Sequence, residues 1–305
     1  MNLMTLKEIE EYENGILQLQ YDKFNRIINR VLTEKSSEKN ITLSIMNSFT
    51  LNAHAIKKTQ EEYEIIIRSG CIPMIFQVVG ENVDYFKKHF SHLDSIEDAV
   101  SWACVCVWMQ IFSHELGHTV RGHNDIERTQ SMFNLVEELD HSPEYYAGKY
   151  SGDIDMLRML MEFDADIYSS VYVGEQIRDL IINIKDVAPQ VSERDIIKLA
   201  ISGIFFFFNY VAEKERVSGK YPPSVVRINM IKSGINIAVN ELISLTEEDI
   251  NEATSEAVND CIAFLIEDCY LNMDGGDMYW EHAKLVETTL KKEYSTFVEL
   301  ITPWE

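Results

Sequence analysis

Between Val100 and Phe112 the chain is apolar on nearly every face a helix could present, and residues 113–123, SHELGHTVRGH, follow without a break. No other stretch constrains the fold as strongly. A helix that is apolar all round belongs in a protein interior. The histidines and glutamate that end this one are therefore carried into the interior with it. Buried imidazoles and carboxylates need partners to offset their lost hydration, and a metal ion is one such partner. Ser95, with Asp98 three residues later, has the pattern of a capping box that starts the helix, and Gly122 marks its end.

The core of the stretch is His114-Glu115-Leu116-Gly117-His118. Residues i and i+4 of a helix lie about 40° apart, so both imidazoles leave one face. Such a pair supplies two nitrogens of a tetrahedral zinc site. Glu115 stands one step round the helix, beside the metal without pointing at it. From there it can take a proton from a zinc-bound water and pass it to a leaving amine.

A catalytic zinc takes three protein ligands and keeps one position open. The third could be His123 or a distant residue. The metzincin pattern needs Gly three residues and His six residues after the second His, where this chain has Arg121 and Asn124. The better candidate lies in MEFDAD, residues 161–166, within a second predicted helix. Glu162 and Asp166 share one helical face, whereas Asp164 sits about 200° from Glu162 and cannot reach the same metal. Glu162 is then the expected third ligand. Asp166 is expected to accept the hydrogen bond from the far nitrogen of one histidine, fixing its tautomer. Leu157, Leu160, Met161, Phe163, Ile167 and Tyr168 surround the pair, which argues against a merely solvated acidic face.

Elsewhere the pattern predicts an α+β protein, predominantly α-helical, with a small β-sheet. Helical spacing runs from Thr5 to Lys35. The stretches ITLSIMNSFTLNAHAI from Ile41 and EIIIRSGCIPMIFQVV from Glu64 read as strands, the second broken at Gly70 and Pro73. Further helices are expected at about 153–173, stopping at Gly174, and at 192–216, 224–245, 248–270 and 278–300. The reading is a single domain over 1–305, with 1–95 an N-terminal α/β portion and 96–305 a mainly helical portion carrying the site. The acidic connector 124–152 is long for a compact domain and reads as a lid or substrate-contacting element. Phe205 to Phe208 and the pair Cys104 and Cys106 read as core.

The formal charge is −23, which argues against a protein that works by neutralising nucleic-acid phosphates or acidic membrane surfaces. Five cysteines without a CxxC pair make neither a disulfide framework nor a zinc knuckle. The longest uncharged apolar run, Leu199 to Ala212, falls short of the ~20 residues that span a bilayer. The first residues lack the basic-then-apolar order of a secretion signal. The expectation is a soluble, cytoplasmic protein of undetermined oligomeric state.

Three short blocks between 111 and 231 resemble a known family. HELGH, then Glu162-Phe163-Asp164-Ala165-Asp166, then Tyr221-Pro222-Pro223 followed by Arg227, look like the HtpX-like gluzincin zinc peptidases, although that family usually has His where this chain has Tyr221. Soluble phage-exclusion peptidases of the Lit type are similar in size and character. The resemblance implies a zincin-like active-site helix pair, Zn2+ held by His114, His118 and Glu162, Glu115 as base, Asp166 behind the ligands, and a protein or peptide substrate. Tyr221 then either donates a hydrogen bond to the tetrahedral oxyanion or packs on Pro222. Arg227 is expected to anchor a carboxylate near the site. The competing reading is a non-catalytic zinc module, an effector or interaction protein of a bacterial stress or phage response. An intact Glu115 argues against it, because a structural site needs no base.

Overall fold

The computed structural model describes residues 2–35, 38–124, 154–214, 222–239, 245–267, 273–301 and 303–304. Tyr221 and residues 125–152 of the connector fall outside them. The architecture is α+β and predominantly helical, with one three-stranded sheet.

The N-terminal helical stretch is two helices, α1 (Leu6–Glu11) and α2 (Ile16–Glu34), separated at Glu13 and Asn14, which adopt positive φ of 46° and 57°. The sheet follows: β1 (Asn40–Met46), β2 (Ala53–Lys57) and β3 (Glu62–Arg68), in the order β1-β3-β2. β1 runs parallel to β3 and β2 antiparallel to it, so β2 is an edge strand. Alternate residues Ile41, Leu43 and Ile45 are buried, which is the period the sequence shows.

The stretch after Gly70 corrects the strand reading of residues 64–79. Only its first part is strand; α3 (Cys71–Gly80) and α4 (Val83–His89) come next. Pro73 is the third residue of α3, inside the first turn, where a backbone N–H has no intrahelical acceptor to lose. Proline there is a helix-start signal that the β-branched run before it obscures.

Helix α5 (Ile96–Val120) begins at Ser95, whose side chain accepts from the Asp98 N–H at 3.1 Å. From Cys106 to Val120 every residue is buried. α5 lies against α3 and β2, and against two long helices, α6 (Ile154–Val187) and α7 (Glu193–Lys214). Then come α8 (Ser224–Val239), α9 (Glu247–Glu267) and α10 (Met273–Val298). Phe24 of α2 stacks on Phe112 at 3.9 Å between centroids. Phe205 to Phe208 are all buried, as are Cys104 and Cys106. Helix α7 holds the one described segment long and apolar enough to cross a membrane, Glu193–Ala212, and 67% of that window is buried within the fold.

Gly174 does not end α6, which continues thirteen residues further to Val187. It is instead a contact point: a Cβ there would lie 2.7 Å from both the Ala238 Cβ and the Gly234 carbonyl oxygen of α8. Its smallness serves helix packing rather than a C-cap. Gly117 plays the same part between α5 and α6. A Cβ would approach the Ala165 backbone to 3.1 Å, so the glycine inside HELGH lets the two site-bearing helices come together.

Candidate metal centre

Helix α5 presents His114 and His118 one turn apart, and α6 presents Glu162 and Asp166 one turn apart on the facing side. All four are buried. The Nε2 atoms of the two histidines are 3.1 Å apart. His114 Nε2 is 3.1 Å from Glu162 Oε2, and His118 Nε2 is 3.6 Å from Glu162 Oε1. Two nitrogens and one carboxylate group thus converge, close enough to share one ion.

Those edges test the fit to zinc. With metal–ligand bonds of about 2.0–2.1 Å, the corners of a tetrahedron lie about 3.4 Å apart. The measured separations, 3.1 Å between the nitrogens and 3.1 and 3.6 Å from them to the two oxygens of the Glu162 carboxylate, lie close to that value. The donor set, two imidazoles and one carboxylate, also leaves a fourth position open. The residues fit the ion.

Hydrogen-bond chemistry assigns the protons. Asp166 receives His114 Nδ1 at 2.9 Å, Gln110 Nε2 at 2.9 Å, and both Nε and Nη2 of Arg227 at 2.6 and 2.9 Å. An ionised carboxylate only accepts, so His114 carries its proton on Nδ1 and turns a lone pair toward the cluster. Burial alone would raise the Asp166 carboxyl; the Arg227 guanidinium and His114 outweigh it and hold it below its ordinary range. For His114, burial works against charging. Glu162 and Asp166 override this and lift it to about 10.

A second aspartate serves the other histidine at one remove. The chain turns at Gly122 (φ 79°) and brings His123 back beneath His118. The two Nδ1 atoms are 2.9 Å apart, and His123 Nε2 is 2.9 Å from Asp164 Oδ2. Arg121 donates to Asp164 through Nε and Nη2 at 2.8 and 3.0 Å, and Tyr294 of α10 donates its hydroxyl to the same carboxylate. These donors, with His123, hold the Asp164 carboxyl well below its usual range despite burial that would raise it. Burial, the largest influence on His123, keeps it below its ordinary value although Asp164 pulls the other way.

The structure therefore brings together His114, His118, Glu162 and Asp166, and puts Glu115, 6% exposed, next to His114 on the same helix. His123 is not among the converging atoms: both its ring nitrogens are engaged behind His118. Arg227 does anchor a carboxylate, that of Asp166, and its guanidinium lies 3.9 Å over the Phe208 ring. Sequence reasoning missed Gln110 and Ser169. Gln110 donates to Asp166 and accepts from Ser169 Oγ at 2.9 Å. The signal was there: Gln110 is the lone amide in the apolar run, one turn before His114.

The class defined by fold and site is an α+β protein whose buried His-His-Glu cluster can hold a metal ion. Scans against family models, curated proteins and solved structures find no match to this chain.

Proposed function

We propose that the chain is a zinc-dependent endopeptidase, with a zincin-like pair of helices, α5 and α6, as its active site. The observation that carries this reading is the convergence of His114 Nε2, His118 Nε2 and the Glu162 carboxylate, with Glu115 directly adjacent in sequence on α5. Bound zinc would polarise a scissile carbonyl and acidify a water at the open position. The chain's own residues supply the rest. Glu115 accepts the proton of the attacking water and returns it to the leaving nitrogen. Asp166, clamped by Arg227 and Gln110, keeps His114 in the binding tautomer. Tyr221 precedes Pro222 and Pro223, which lead into the helix that bears Arg227, and is the proposed oxyanion donor.

A protein or peptide substrate suits the setting. β2 is an edge strand of the sheet and lies beside α5. An extended chain can add to such an edge through main-chain hydrogen bonds. The charge of −23 speaks against nucleic acid and anionic membrane partners, and a cytoplasmic location fits the same reading.

A second reading rests on burial. His114, His118 and Glu162 are 8%, 7% and 3% exposed, as the ligands of a folding clamp would be. A non-catalytic zinc module accounts for that burial but gives Glu115 no task. The experiment is proteolysis of a cell lysate by the zinc-loaded wild type and by Glu115→Gln, with cleaved proteins identified by mass spectrometry. The peptidase reading expects zinc to be retained and cleavage to fall at least ~10²–10⁴-fold in the variant. Equal cleavage by both forms contradicts it. No cleavage by either, with unfolding on zinc removal, favours the clamp.

A further inference from the structure

We propose that His123, held by Asp164, is a positioning residue that sets the tautomer of His118, so that the second zinc nitrogen is oriented through a histidine relay rather than by a carboxylate touching the ligand. This rests on the metal-site reading above and extends it to the residues behind the site.

The geometry leaves two arrangements of protons. Asp164 accepts from Arg121, Tyr294 and His123, so its oxygens are acceptors and His123 Nε2 carries a proton. Between the two Nδ1 atoms, 2.9 Å apart, one hydrogen must sit. If it belonged to His123, His118 would have to keep its proton on Nε2, pointing at His114 Nε2 and Glu162. If it belongs to His118, His123 stays neutral, and His118 turns a lone pair into the cluster. Only the second arrangement lets three electron pairs converge on one ion. With an ion between His118 and His114, it also satisfies every ring nitrogen of the three histidines, in the order Asp164, His123, His118, His114, Asp166. The same protons serve a cluster without zinc, because an added proton on His114 Nε2 would be shared by Glu162 and His118 Nε2.

Packing holds the relay in place. His123 is fully buried, its ring lies against Phe297 of α10 at 5.7 Å, and the Trp304 backbone N–H donates to the Val120 carbonyl at 2.9 Å. Histidine ligands usually pass their second nitrogen to a carboxylate, a carbonyl or water. Here the carboxylate is one imidazole further away.

The test combines two readouts on the full chain. Two-bond ¹H–¹⁵N spectra of the imidazoles, assigned by single substitutions, report which nitrogen of His118 and His123 is protonated, with and without zinc. Competition with a chelator gives the zinc dissociation constant. The expected result is an Nδ1–H tautomer for His118 and an Nε2–H tautomer for His123 in both states. His123→Phe, which cannot accept from His118, should weaken zinc binding ~10–100-fold. His123→Gln, whose amide oxygen can accept, should recover affinity to within about a factor of three of wild type. A proton on His123 Nδ1 overturns the proposal, as does wild-type zinc affinity in His123→Phe. If the wild type binds no zinc, the metal-site reading fails, and the nitrogen spectra still decide the relay on their own. If His123→Phe does not fold, the spectra and the His123→Gln affinity decide it.

Discussion

Asp164 and Asp166 stand two residues apart on the buried part of one helix, and they support the two histidines in different ways. Asp166 touches its histidine directly and is itself gripped by Arg227, whose side chain is 6% exposed, and by Gln110. Asp164 reaches His118 only through His123, and its own guanidinium partner, Arg121, is 26% exposed. Both carboxylates end with the same task, keeping a proton on a histidine Nδ1. One side is short and fully dehydrated; the other is longer and reaches the surface. Shortness in a dehydrated setting raises the consequence of losing any one partner, because the survivor stays charged and buried.

The largest effect should therefore come from breaking the short side. Arg227→Leu strands the Asp166 carboxylate, and chemical denaturation should register a loss of about 3–5 kcal/mol. A loss under about 1 kcal/mol would mean that Gln110 and His114 alone satisfy Asp166. Next, Asp166→Asn should weaken zinc binding ~10–100-fold in chelator competition, since the neutral amide orients His114 less firmly. Asp164→Asn should fall at or below the low end of that range, ~10-fold, because its influence passes through His123. Equal or larger weakening in Asp164→Asn would reverse the ranking of the two sides. The smallest change is expected from Arg121→Leu, about 1 kcal/mol in denaturation, because Asp164, though itself buried, keeps His123 and Tyr294 as donors and water can enter the space that the partly exposed Arg121 leaves.

The same contrast explains what could be read without coordinates. His114 with His118 and Glu162 with Asp166 are each i, i+4 pairs, and helical periodicity alone places each pair on one face. That the two faces meet follows from burial, since apolar neighbours on both helices force the polar residues toward each other. Gln110 obeys the same period and was overlooked because a single amide in an apolar run carries little weight. The relay had no such period. His123 lies beyond a left-handed turn, 41 residues from Asp164, and Tyr294 reaches that aspartate across 130 residues. Contacts of that kind depend on how α10 packs, which local spacing does not encode. The fold shows the same division. Elements with an unambiguous pattern, the alternation of β1 and the all-round apolar run of α5, stand out, whereas α3 is hidden by the β-branched strand before it and α6 runs past a glycine used for helix contact.

The central claim is that the three converging atoms of His114, His118 and Glu162 form a zinc site. Isothermal titration of zinc into protein stripped by chelator tests it most directly, comparing the wild type with Glu162→Ala and His123→Ala. The account predicts one zinc per wild-type chain, loss of stoichiometric binding in Glu162→Ala, and weaker but still stoichiometric binding in His123→Ala. Full-occupancy binding in Glu162→Ala together with its loss in His123→Ala would contradict the account and make His123 the third ligand.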